Sequence, residues 1–143
     1  MFLDIDSLQD NNMSKVLIVD DDRTMVSLLK ILLEMDGFDV ANISMGGQLI
    51  EKVRAEKPDL VLLDIFLSDA DGKEVLVELR NTTDLADLRV VMTSGMDLAD
   101  QCMDAGADAF LLKPYTPEQL MKTIQQNLPN NGEIEEKHAS IGE

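Results

Sequence analysis

Five short apolar runs limit the folds open to this chain: "KVLIVD" (15–20), "FDVANI" (38–43), "DLVLLD" (59–64), "RVVMTS" (89–94) and "DAFLLK" (108–113). They predict five strands. Three are continuously apolar rather than alternating, the pattern of strands covered by helices on both faces of a parallel sheet. The segments between them carry helical period. In 23–36, Met25, Leu28, Leu29, Leu32 and Met35 recur at spacings of three and four, and Gly37 stops the helix. In 44–56, Ser44 is placed to cap the amino end, Leu49 and Val53 share a face, and Pro58 lies past the end. Val75, Leu76 and Leu79 form a short stripe in 72–80. The weakest pattern is 97–105, where Ala99, Cys102 and Met103 give a modest apolar face. "TPEQ" opens the last helix, with Thr116 as cap, Pro117 in the first turn and Gln119 at the reciprocal capping-box position. Strands and helices alternating five times imply right-handed crossovers and a doubly wound α/β fold.

At 143 residues the chain supports one well-buried core. The stretches 1–13 and 129–143 are polar and weakly periodic, and are expected to be a flexible amino-terminal extension and a flexible acidic tail around a domain at 14–128. The single histidine, His138, falls in that tail. No apolar stretch of about 20 residues is present that could span a bilayer. The start, "MFLDIDSLQDNN", lacks the basic and long apolar segments of a secretory signal, so a cytoplasmic protein is expected. Cys102 is alone, which suits a reducing compartment and predicts a helix-packing role. A formal charge of -16 argues against direct nucleic-acid binding, which needs clustered Lys and Arg, and favours protein partners.

In a parallel sheet the carboxyl ends of all strands share one edge, and ligands bind outside it. Those ends carry Asp20, Asp21 and Asp22 after the first run, Asp64 after the third, Ser94 after the fourth and Lys113 after the fifth. Asp22 alone reads as an ordinary helix cap. Carboxylates from two strands converging there would repel: at about 4 Å a pair costs about 4 kcal/mol at an effective dielectric of 20. One lysine does not offset three of them. A hard divalent ion would, and Mg2+ suits carboxylate, carbonyl and water ligands. Mg2+ beside a free aspartate points to phosphoryl transfer through an aspartyl-phosphate, with Lys113 and Ser94 holding the phosphoryl oxygens.

"VLIVDDD", "DLVLLDIFLSDADG", "VVMTSG" and "GADAFLLKPYTPEQL" together resemble the four signature segments of the response regulator receiver domain of two-component signalling, over about residues 14–128. The resemblance implies a flavodoxin-like (β/α)5 fold with strand order 2-1-3-4-5. It implies that Asp64 is the phosphoacceptor, that Asp20, Asp21 and Asp64 bind Mg2+ with the backbone carbonyl of Phe66, and that Lys113 and Ser94 contact the phosphoryl group. Ser94 and Phe110 would be the switch pair, and a cis peptide would precede Pro114. The implied partners are a sensor histidine kinase or histidine phosphotransfer protein, and a downstream protein meeting the face of the fourth helix, fifth strand and fifth helix, with a phosphorylation-dependent homodimer also open. Fifteen polar residues after Leu128 bury no core, so a stand-alone receiver is expected, a switch more than an enzyme.

Two rival readings differ in chemistry. "DDDRT" also fits the Asp-x-Asp-x-Thr pattern of haloacid-dehalogenase-type phosphatases, with Asp20 as nucleophile and Asp22 as acid/base, although the later acidic pair of that family is missing beyond Lys113. A pseudo-receiver that binds without being phosphorylated would normally have lost one of Asp20, Asp21, Asp64 or Lys113. No glycine-rich loop follows the first strand, where a nucleotide- or flavin-binding domain would cradle phosphate. Gly46 and Gly47, after the second, read as a loop or helix start.

The chain departs from the receiver pattern at Ser68, where proline is usual and whose absence is expected to loosen the loop, and mildly at Tyr115, where phenylalanine is usual. Phe66 and Met96 occupy positions that in the family tune phosphoryl lifetime. Both are apolar and neither can position an attacking water, so slow self-dephosphorylation is expected. Combining Phe66→Asn with Met96→Glu is expected to shorten the phosphoryl half-life; an unchanged half-life, followed by loss of label over time, would refute that role for the two positions.

Overall fold

The computed structural model describes residues 13–129. Its five strands are β1 (Lys15–Val19), β2 (Asp39–Ile43), β3 (Leu60–Asp64), β4 (Arg89–Ser94) and β5 (Ala109–Leu112). They form one parallel sheet in the order β2-β1-β3-β4-β5. The helices between and after them are α1 (Arg23–Met35), α2 (Leu49–Glu56), α3 (Gly72–Arg80), α4 (Ala99–Ala105) and α5 (Pro117–Asn127), with short 3-10 turns at Gly46–Gln48 and Thr83–Leu85. The expected tails at 1–13 and 129–143 lie, apart from Met13 and Pro129, outside the described residues.

The apolar runs do what continuous runs require. Every residue of β3 is buried, as are Val16, Leu17, Ile18 and Val19 of β1. Pleating sends alternate residues to opposite faces. Leu17, Val19, Val61, Leu63, Val90 and Met92 pack with Leu49, Val53, Leu76, Leu79 and Cys102 under α2, α3 and α4. Val16, Ile18, Leu60, Leu62 and Val91 pack with Leu29, Leu33, Leu120 and Ile124 under α1 and α5. Full burial of each such side chain stabilises the fold by about 1.5–3 kcal/mol. Cys102 is fully buried in this packing, as its place on a weak apolar face predicts.

Two local expectations are corrected. The inward stripe of α1 is Val26, Leu29 and Leu33, while Leu28 and Met35 stand 52% and 80% exposed. The helix is apolar over two neighbouring stripes, and the sheet selects the one containing Val26 and Leu33. Nor does Ser44 cap α2: a 3-10 turn at Gly46–Gln48 intervenes, and Gln48 at the cap position makes no side-chain bond. By contrast, Asp22 caps α1 by accepting the N–H of Met25 at 3.1 Å, and Thr116 and Gln119 form the full capping box of α5. Arg80 ties the far end of α3 to the rest of the fold. Its guanidinium donates to the carbonyls of Ala86, Leu88 and Gly106 and pairs with Asp108 at 3.1 Å.

α3 starts behind Asp64. The Gly72 N–H donates to the Ile65 carbonyl at 2.7 Å, and a Cβ at Gly72 would lie 2.4 Å from the Asp64 carbonyl oxygen and 2.8 Å from the Ile65 Cα. Those neighbours are backbone and cannot rotate aside. Gly72→Ala is therefore expected to destabilise the domain by about 1–3 kcal/mol in denaturant titration, the usual cost of overpacking. A loss below about 0.5 kcal/mol would show that the approach is softer than the geometry states.

Candidate functional site

The "DDD" run divides its demands among three environments. Asp20, 5% exposed, continues β1 into the rim, and its Oδ1 accepts the Asp22 N–H at 2.9 Å. Asp21 is exposed, and its Oδ2 accepts the Ser68 N–H at 2.9 Å. Asp22 turns away to cap α1. Only the first two face the crevice chemistry, so three adjoining carboxylates never compete for one space. The phosphatase arrangement, with Asp22 as acid/base beside Asp20, is not the one formed.

Asp64 ends β3, the middle strand, and is 7% exposed. It pairs in register with Thr93 of β4, and the Ile65 N–H donates to the Thr93 carbonyl at 3.0 Å. On the other side of the rim, the Lys113 N–H donates to the Ser94 carbonyl at 2.8 Å, which fixes the chain just after β5 against the end of β4. The Lys113–Pro114 peptide is cis. From there the Lys113 Nζ reaches 3.2 Å from Asp20 Oδ2 and 3.5 Å from Asp64 Oδ1. One ammonium thus touches two buried carboxylates from different strands.

Burial raises the pKa of Asp64; Lys113 opposes the rise, while Asp20 and Asp21 add to it. Tyr115, next along the chain from the cis-proline, has its hydroxyl pKa pushed up to about 12 by burial and then by the Asp20 and Asp64 charges. Oxygens of Asp20, Asp21 and Asp64 lie within 4.8 Å of one another. Counting Lys113, the crevice holds three negative charges and one positive, leaving two negative. An all-oxygen donor set with that balance, one carboxylate of which is exposed to solvent, fits a hard divalent cation.

The remaining expected residues are placed as follows. Ser94 is fully buried, and its Oγ accepts the Met96 N–H at 3.0 Å. Phe110 sits on β5 opposite Met92 and is partly buried against the core beneath α4. Phe66 and Met96 are 55% and 58% exposed at the rim. Reading the side chains in order misses four things here: the backbone donor at Ser68, the anchoring carboxylate of Asp69, the close approach at Gly72 and the Tyr115 ring beside the acids. The first could be found only by asking what a residue other than proline adds, namely an N–H.

Residues 16–125 match the family model of the response regulator receiver domain. The chain is 35% identical over 136 residues to the DNA-binding response regulator MtrA of Mycolicibacterium smegmatis, covering 94% of this chain and 59% of that protein. It is 35% identical over 113 residues to the alkaline phosphatase synthesis transcriptional regulatory protein PhoP of Bacillus subtilis, covering 78% of this chain and 47% of that protein. A solved CheY-like response regulator receiver domain protein from Methanospirillum hungatei JF-1 has a TM-score of 0.73 at 30% identity, covering 80% of this chain and 93% of that one. The chain spans about half the length of the curated relatives it matches, so the expected stand-alone arrangement is not confirmed by them. The expected exclusion of nucleic acid is overturned: MtrA is a DNA-binding regulator by name. That exclusion rested on the net charge of this stretch, which says nothing of what a protein nearly twice as long can bind through the rest of its length. Among the described residues no helix is long and apolar enough to cross a membrane. With its sheet order, its rim of acids around one lysine and a family match over most of its length, the chain belongs to the response regulator receiver domain family of two-component signalling.

Proposed function

We propose that Asp64 accepts a phosphoryl group from a phosphohistidine of a sensor kinase or phosphotransfer protein, in a reaction that requires Mg2+. The observation that carries this reading is the convergence of Asp20, Asp21 and Asp64 within 4.8 Å, with Lys113 bridging two of them. Asp20, Asp21 and Asp64, with the backbone carbonyl of Phe66, would hold the ion. Bound there, Mg2+ would supply positive charge against the phosphoryl oxygens. An Asp64 carboxylate oxygen forms the new P–O bond as the donor's P–N bond breaks, and the electron pair leaves with the imidazole, which takes a proton from solvent.

The chain's own groups prepare this step. Burial keeps Asp64 poorly hydrated and raises its pKa, and the Lys113 ammonium opposes that rise by favouring the carboxylate. As charge develops on the phosphoryl group, the Lys113 ammonium can shift from Asp20 and Asp64 to the new oxygens, and the Ser94 hydroxyl, whose oxygen accepts the Met96 N–H, can donate its own hydrogen to one of them. Phe110 follows Ser94, biasing the face of α4, β5 and α5 between two states. Leu112, 46% exposed on the edge strand, and Met103, 47% exposed on α4, give that face apolar contact surface for a downstream protein. The domain positions groups for its own modification and turns over no separate substrate.

Asp64→Asn separates this reading from the phosphatase reading, and labelling of the wild type separates it from the pseudo-receiver. The variant is expected to abolish labelling by a small phosphodonor such as acetyl phosphate; retained labelling would transfer the acceptor to Asp20 and overturn the assignment. The same variant is expected to unfold at a higher temperature than wild type at pH 7 in the absence of metal. A raised folded pKa means that folding disfavours the ionised acid, so that removing the charge stabilises. The difference is expected to close as pH falls below the ordinary carboxylate range, where the wild-type acid is protonated both folded and unfolded. A variant less stable than wild type at pH 7 would contradict the stated burial cost.

A further inference from the structure

Residues 65–71 join β3 to α3 and carry Phe66 two residues beyond the acceptor. Three hydrogen bonds hold this segment to loops distant in sequence. The Asp69 carboxylate accepts the N–H of Gly46 through Oδ1 at 2.9 Å and that of Gly47 through Oδ2 at 3.0 Å. These are the first amides of the turn leading into α2, which have no partner of their own within a helix and receive none from Gln48. The Asp69 carboxyl is accordingly held below the usual carboxylate range by the Gly47 and Gly46 amides.

Packing makes the contact specific. A Cβ at Gly46 would lie 2.9 Å from Val75 Cγ2, 3.0 Å from Leu67 Cδ1 and 3.4 Å from the Ala70 Cβ, so any side chain there would have to push the Val75 and Leu67 methyls aside. The third bond runs from the Ser68 N–H to Asp21 Oδ2 at 2.9 Å. Proline, usual at this position in the family, has no N–H and could not make it. The expectation that Ser68 loosens the loop is therefore corrected: the restraint of a ring is exchanged for a charge-assisted bond to one of the rim acids.

We propose that Ser68 and Asp69 are positioning residues that tie segment 65–71 to the loops after β1 and β2, so that the Phe66 carbonyl and the Asp21 carboxylate are set before a cation arrives. Asp69 anchors the segment to the amino end of α2 without touching the crevice. Ser68 orients Asp21, the exposed member of the acidic trio, through its backbone. The inference rests on the functional reading above for what the crevice holds, and on the two loops alone for how the segment is held.

The test uses two readouts on the full chain: amide hydrogen exchange without metal, and Mg2+ affinity by calorimetry. Asp69 is exposed, so Asp69→Ala leaves the core intact. It is expected to speed exchange at Gly46, Gly47 and residues 66–70 at least tenfold and to weaken Mg2+ binding several-fold. Ser68→Pro, which deletes the donor, is expected to bind Mg2+ more weakly than Ser68→Ala, which keeps it. Unchanged exchange in Asp69→Ala, or equal affinity in the two Ser68 variants, would overturn the proposal. A wild-type protein that binds no Mg2+ would instead overturn the functional reading, and the exchange of Gly46 and Gly47 would still decide the role of Asp69.

Discussion

Two uncompensated negative charges at the carboxyl edge of the sheet organise this molecule. Asp20 and Asp64 are nearly buried, Asp21 completes the group, and among the described residues the Lys113 ammonium pairs with the two buried members. Holding acids in this way costs folding free energy, because each carboxylate loses water and gains like-charged neighbours. The fold tolerates the cost because the apolar side chains of β1, β3 and β4, buried away from the rim, offset it. The same imbalance is what fits the crevice's all-oxygen donor set to a hard divalent cation.

Much of this was legible in the residues. Continuous apolar runs announce buried parallel strands, and a parallel sheet gathers its strand ends at one edge, so the sequence alone places Asp20, Asp64, Ser94 and Lys113 together. Capping at Asp22 and Thr116 was equally readable, since a cap is a local contact of three residues. The buried face of α1 was not. Leu28 and Leu32 continue the period as well as Leu29 and Leu33 do, and only the position of the sheet tells the stripes apart. Ser44 failed as a cap because the turn of α2 is satisfied by Asp69, which lies 23 residues beyond Gly46.

Partner identity fell outside what charge could decide. A net charge of -16 over this stretch describes its own surface, yet a relative named for DNA binding shares 35% of its residues over 94% of the chain. Net charge limits how a surface meets phosphate; it does not limit what a longer chain containing that surface recognises. The residues around Asp64 belong to a different level of description. Gly72, Ser68 and Asp69 act through backbone approach and backbone donors, and fix where the reactive groups stand without taking part in the chemistry.

The charge account is tested most directly by titrating Mg2+ into the wild-type protein and into Lys113→Met at pH 7.5 and low ionic strength. If the residual charge of the crevice governs cation binding, deleting the ammonium leaves three unopposed carboxylates, and the variant must bind Mg2+ more tightly than wild type. Weaker or unchanged binding would contradict the claim that charge balance at this rim determines what it holds.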